Sequence, residues 1–182
     1  MSPFDTAFNK LVPIEGTYSD HPSDKGGPTM YGITERVAHL YGYKGVMREL
    51  PLEKAREIYL EKYWNLMHLD GVARYSVKIA DEMFDTGVNM GRAGAVYFLQ
   101  IWLNAFNRRG SDYLDIEEDN LMGRVTLGAL DSFLFRRGKE GEAVMLTALN
   151  CSQGERYRQI ARTRPENEDF IYGWMRTRVR ID

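Results

Sequence analysis

Ile14-Glu15-Gly16-Thr17-Tyr18-Ser19-Asp20-His21-Pro22-Ser23-Asp24-Lys25-Gly26-Gly27-Pro28-Thr29-Met30-Tyr31-Gly32-Ile33-Thr34 is the stretch that decides how the chain must fold. Ahead of it the pattern is helical. Ser2 can cap a first helix with Pro3 in its first turn, and Phe4, Phe8, Leu11 and Val12 fall on one side. Pro13 removes a backbone donor and should tighten or kink the last turn, which leaves Glu15 at or just past a helix C-terminus. From Gly16 to Thr34 the composition changes to Gly, Pro, Ser, Asp and Thr with two tyrosines, the signature of turns and short extended segments. One small extended region set among helices makes the expected class α+β, predominantly α-helical.

Behind the stretch the spacing predicts helices near 34–43, 51–63 and 76–88, the last with Val77, Ala80, Met83, Phe84 and Val88 at helical intervals. Residues 92–106 are apolar nearly all round, which predicts a central buried helix. An acid-rich segment, 107–122, separates it from helices over 124–136 and near 139–162, with a last helix after Pro165. The expected division is 1–106 and 107–182, two parts packed as one globular unit.

The 182 residues suit one domain or one with a small appended lobe, and 43% apolar with 27% charged residues is ordinary for a globular protein. A single cysteine, Cys151, excludes an intrachain disulfide, and with three scattered histidines it gives no zinc-site spacing. The acidic run Asp112, Asp115, Glu117, Glu118, Asp119 lacks the alternating ligands and central glycine of an EF-hand and reads as a solvated loop. A net charge of −2 and no concentrated basic stripe argue against nucleic acid as partner. The N-terminus has no basic leader followed by an apolar run, and the most apolar stretch, 93–106, is too short to span a bilayer. A protein made in the cytosol, without stable membrane association, is the expectation.

Glu15 and Asp24 are the candidates for chemistry. Cleaving a glycosidic bond needs a protonated carboxylic acid at the leaving oxygen and a second group to activate water or face the cationic sugar. Burial and the negative end of a helix dipole both favour a protonated carboxyl, and a Glu closing an apolar helix stands to receive both. Asp24 sits in a Gly/Pro-rich loop where solvent and backbone N–H groups favour the ionised form, so two environments would separate two roles. Thr29 and Tyr31 follow on the same loop, suited to holding water or a sugar hydroxyl. The residues alone also read as a solvated helix end and a turn aspartate, and they leave Asp20 almost level with Asp24.

The segment resembles the glycoside hydrolase family 108 N-acetylmuramidases of the phage endolysin type, whose hallmark is Glu-Gly-Gly-Tyr, then Asp-Pro, Gly-Gly and Thr-x-Tyr-Gly-Ile-Thr. Here stand Glu15-Gly16-Thr17-Tyr18, His21-Pro22, Asp24, Gly26-Gly27 and Thr29-Met30-Tyr31-Gly32-Ile33-Thr34. Thr17 replaces a glycine, and His21 stands where an acid or Asn is usual. The resemblance implies a lysozyme-like fold with Glu15 as catalytic acid, and it selects Asp24 and Thr29 as its catalytic partners. It also implies Tyr18, Tyr31 and Asn89 in the cleft, no cofactor, and peptidoglycan glycan strands as substrate.

Tyr63-Trp64 and Phe84-Asp85-Thr86-Gly87-Val88-Asn89 extend the likeness, with core packing the competing reading for Trp64 and favoured for Phe84. Asp119 to Leu130 is similar to the Asp-Gly-x-x-Gly-x-x-Thr-x-x-Ala-Leu signature of peptidoglycan-binding modules, and equally to a plain turn feeding a helix. Arg108-Arg109 and Arg136-Arg137 suit helix C-termini, or the peptide carboxylates of the wall. The implied setting is a monomeric endolysin waiting in host cytoplasm for a separate pore-forming holin before acting on periplasmic peptidoglycan. Three rivals remain: a lytic transglycosylase, a non-catalytic wall-binding or secretion-accessory protein, and a helical nucleic-acid binder.

Overall fold

The computed structural model describes residues 1–20 and 27–179, which form two compact units, 1–66 and 67–182. In the first, α1 (Pro3–Glu15) starts at Ser2, whose hydroxyl accepts from the Asp5 amide while the Asp5 side chain returns to the Ser2 amide, a reciprocal cap. Phe4, Ala7, Phe8 and Leu11 form its buried face. Ala7, rather than the expected Val12, completes the stripe, since positions 4, 7, 8 and 11 keep the 3.6 period. Pro13 stays inside the last turn and Gly16, at φ 80°, ends the helix.

Strands β1 (Thr29–Met30) and β2 (Ile33–Thr34) pair antiparallel, with Met30 opposite Ile33, and Ser19 exchanges both backbone hydrogen bonds with Thr29. Tyr31 and Gly32 between them have φ values of 51° and 71°. Positive φ at both central residues is what a two-residue I′ hairpin demands, because only that twist matches the strands. Thr34 caps α2 (Glu35–Leu40) by accepting from the Val37 amide.

Helix α3 (Leu52–Tyr59) runs into a wider, π-helical turn over Leu60–Asn65. Phe4 meets Trp64 edge-on at 5.5 Å and Phe8 meets Tyr59 at 5.7 Å, so aromatic contacts lock α1 to α3 and its extension. Trp64 is only 1% exposed and belongs to the core. Arg56 on α3 donates to Asp5, and with Ser2 it holds that carboxyl down at about 2.

The second unit is all helical: α4 (Leu69–Ala73), α5 (Val77–Met90), α6 (Arg92–Phe106), α7 (Arg124–Thr163) and α8 (Glu168–Arg178). Helix α5 packs on α4, α6 and α7, and α8 packs on α7. Its buried face is Ile79, Ala80, Met83, Phe84, Thr86 and Gly87; Val77, expected inside, is 46% exposed beside the cap Ser76. Phe84 is core, as its spacing favours. Helix α6 corrects the expectation of burial all round: Ala95, Val96, Leu99, Gln100 and Leu103 face inward while Tyr97 is 39% exposed.

The acidic segment is the exposed loop expected, and side chains of α6 hold it. Gln100 donates to Asp119 at 2.8 Å and accepts from the Asn120 amide, and Asn104 exchanges hydrogen bonds with the backbone of Ile116. The two polar residues that interrupt the apolar run are the ones that clamp the chain returning beside it. The two expected helices over 124–162 appear as arms of α7, broken at Gly138 with φ 56° and ψ −142°. No described helix is long and apolar enough to cross a membrane. The lobe change expected after Phe106 coincides with no break in packing, because α6 and α7 pack together in the second unit.

Candidate active site

Glu15 is the last residue of α1, half-buried, with its carboxylate lying against the Tyr31–Gly32 turn. A Cβ at Gly32 would stand 2.5 Å from Glu15 Oε2 and 2.8 Å from the Tyr59 hydroxyl. A methyl there would make the acid or the tyrosine hydroxyl shift, and φ 71° is itself a glycine conformation. The Tyr59 hydroxyl donates to the Tyr31 carbonyl at 2.9 Å and pins a turn that a tyrosine adopts at some cost. The helix end, the hairpin turn and the α3 tyrosine therefore meet at the Glu15 carboxylate.

Tyr18 is half-buried, its ring under the Arg48 guanidinium at 4.5 Å and its hydroxyl donating to Asp20 at 3.0 Å. Asp20 is thus engaged with Tyr18. The Thr29 hydroxyl donates to the Gly27 carbonyl at 3.0 Å, within the bridge to Ser19. Asp24 and His21 lie outside the described residues. Gly32 also lines a cavity of about 200 Å³ with Thr34, Arg36, Tyr59, Lys62 and Tyr63, which puts two basic side chains on the wall shared with the turn. Asn89 belongs to the other unit, where its side-chain Oδ1 accepts from the Tyr157 hydroxyl at 2.9 Å.

Of the residues named from the sequence, Glu15 and Tyr31 meet at the turn and Tyr18 and Thr29 lie in the same unit, while the contacts of Tyr59 and Gly32 with that turn were not foreseen. A tyrosine on the apolar face of a helix carries a signal of its own, since a buried hydroxyl needs a partner. Nothing in the spacing says that the partner is the carbonyl of Tyr31.

Residues 8–91 match the family model described as glycosyl hydrolase 108, and residues 94–179 match that of a Predicted Peptidoglycan domain. The first half of the chain is thus similar to the glycosyl hydrolase 108 family. The two matched regions together support a peptidoglycan-acting enzyme of the muramidase type. The structure of Brucella abortus SagA shares the fold, with a TM-score of 0.70 at 24% identity over 98% of this chain and 92% of that one. No curated protein matches the chain. The α+β, lysozyme-like class expected from the sequence is therefore the observed one. In glycosyl hydrolase 108 terms, the matched region holds both Glu15 and the turn that presses on it.

Proposed function

We propose that the chain hydrolyses the β-1,4 bond between N-acetylmuramic acid and N-acetylglucosamine in bacterial peptidoglycan, with Glu15 as general acid. One observation supports this reading: inside the region that matches glycosyl hydrolase 108, the Glu15 carboxylate lies at a helix end against a Cβ-free turn. A fixed acid within reach of the leaving oxygen is worth about 10²–10⁴-fold in rate. Glu15 gives its proton to that oxygen. Asp24 directs water to the sugar or steadies its positive charge, and Thr29 helps place the water. Tyr18 and Tyr31 shape the cleft. The reaction needs no cofactor, and the setting we infer is a monomeric endolysin released to the wall by a separate holin.

Mass spectrometry of muropeptides released from purified Gram-negative peptidoglycan tests the reaction and the acid together. Wild type is expected to give reducing-end N-acetylmuramic acid, and Glu15→Gln to lose at least about 10²-fold in rate. Asp24→Asn is expected to be damaging as well. Anhydro products with Asp24→Asn fully active would make the enzyme a lytic transglycosylase instead. Equal release by wild type and Glu15→Gln would remove Glu15 from the mechanism.

A further inference from the structure

The second unit holds a cavity of about 360 Å³ that the glycosidic chemistry does not use. It is walled by Phe106 at the end of α6, Phe133 and Arg137 on the first arm of α7, and Val144 on the second arm, with Arg108 and Glu140 also lining it. The volume falls in the range of small-ligand sites, roughly 300–1,000 Å³. Its shape comes from two glycines. Gly138 leaves helical geometry and bends α7 around the space, and Gly141 has no Cβ to strike the stem of Arg137. Phe106 and Phe133 stack at 5.6 Å and make the apolar floor.

The rim is cationic beyond what its acids balance. Arg108, Arg136 and Arg137 all turn to Asp112, which is 8% exposed, at 3.6, 4.0 and 3.4 Å. These are loose, shared contacts and not bidentate pairs, so guanidinium N–H groups remain to be used. The cavity wall itself carries two arginines, Arg108 and Arg137, against one carboxylate, Glu140. Arg108 and Arg109 both sit at positive φ, 56° and 59°, an unfavourable backbone for two successive arginines that the surrounding hydrogen bonds of Asn107 hold in place.

We propose that this pocket binds the stem peptide of peptidoglycan. Arg108 and Arg137 take a free carboxylate, while Phe106, Phe133 and Val144 cover alanine methyls. The assignment rests on peptidoglycan being the substrate. Within that polymer the chemistry favours the peptide over the glycan. Sugar hydroxyls call for neutral amide and hydroxyl partners, and the polar side chains lining this pocket are charged ones. A short peptide with methyl side chains and free carboxylates matches an apolar floor under guanidinium groups.

The test uses the whole chain carrying Glu15→Gln, mixed with intact sacculi, with sacculi stripped of stems by an amidase, and with a synthetic stem tetrapeptide. Retention on intact sacculi and titration of the tetrapeptide are each expected to weaken at least tenfold in Arg137→Ala. Amidase stripping is expected to have the same effect on retention. Because Arg137 also contacts buried Asp112, Val144→Glu serves as the second variant: it sets a negative charge on a rim position that is 44% exposed. It too should lose the tetrapeptide while melting like its parent. Undiminished retention on stripped sacculi, or tetrapeptide binding unchanged by Val144→Glu, overturns the proposal. Bond cleavage by the Glu15-bearing chain, read as released reducing ends, tests the muramidase reading separately and does not enter the binding measurement.

Discussion

Gly32 is where a single hydrogen decides whether the acid can sit where it does. Alanine there puts a methyl 2.5 Å from Glu15 Oε2 and forces a non-glycine residue to φ 71°. The carboxylate, being the end of a flexible side chain, yields more easily than the hairpin. Gly32→Ala is therefore expected to lower kcat by about 10²-fold, the loss that a displacement near 1 Å brings to positioned groups, while KM changes little. Steady-state kinetics on solubilised glycan strands check this; a kcat within twofold of wild type would mean that the turn does not position the acid. The Glu-Gly and Tyr-Gly pairs were plain in the sequence. That the second glycine serves the first glutamate was not, because the two lie far apart along the chain and meet only through the hairpin.

At the level of elements, α5 and α7 meet around a carboxyl that belongs to no catalytic scheme. Burial pushes Glu82 up to about 8, the nearby charge of Asp85 adds to the shift, and hydrogen bonds from Thr86 and Asn150 oppose it. Asp85 in turn accepts from Arg178 on α8 at 2.7 Å and from Gln153 on α7 at 3.0 Å. In the unfolded chain Glu82 ionises at its ordinary 4.5. Between those two values the folded protein keeps a proton that the unfolded chain gives up. The stability from neutral Glu82 is thus fully present below 4.5 and is lost as pH rises toward 8. Glu82→Gln mimics the neutral acid, so its Tm should exceed that of wild type by a margin that grows from about pH 5 to about pH 8. Melting curves at the two pH values decide it, and a constant margin would count against a buried proton. Period and capping residues forecast these helices well, down to the break at Gly138. They did not forecast that Val77 would face solvent, because which way an amphipathic helix rolls depends on its neighbours.

Across the whole molecule, the match to glycosyl hydrolase 108 ends at residue 91, yet the packing does not divide there. Helix α5 lies inside that match and buries its apolar face on α6 and α7, which belong to the Predicted Peptidoglycan region. Its Asp85 and Asn89 are held by Arg178, Gln153 and Tyr157. A chain ended after Gly91 is expected to expose that face and to give no soluble, cooperatively melting protein. Circular dichroism and a melting curve of the shortened chain check this. A sharp transition with retained glycan cleavage would make residues 1–91 an independent enzyme. Family boundaries record which stretches travel together in sequence, whereas folding boundaries fall where apolar faces are satisfied.

Features that depend on neighbours along the chain were legible before any packing. These are the capped first helix ending at Glu15, the turn-rich stretch after it, the positions of the later helices, and the resemblance carried by Glu15, Tyr18, Thr29 and Tyr31. Local periodicity and turn chemistry act over a few residues, and so they are legible there. Tertiary structure alone decided that Gly32 lies against the acid, that Tyr59 holds Tyr31, and that Gln100 and Asn104 clamp the acidic segment. It also set three arginines around Asp112 beside an apolar pocket. Each of these joins residues brought together only when the elements pack, where shape and buried polar pairing outweigh any local preference.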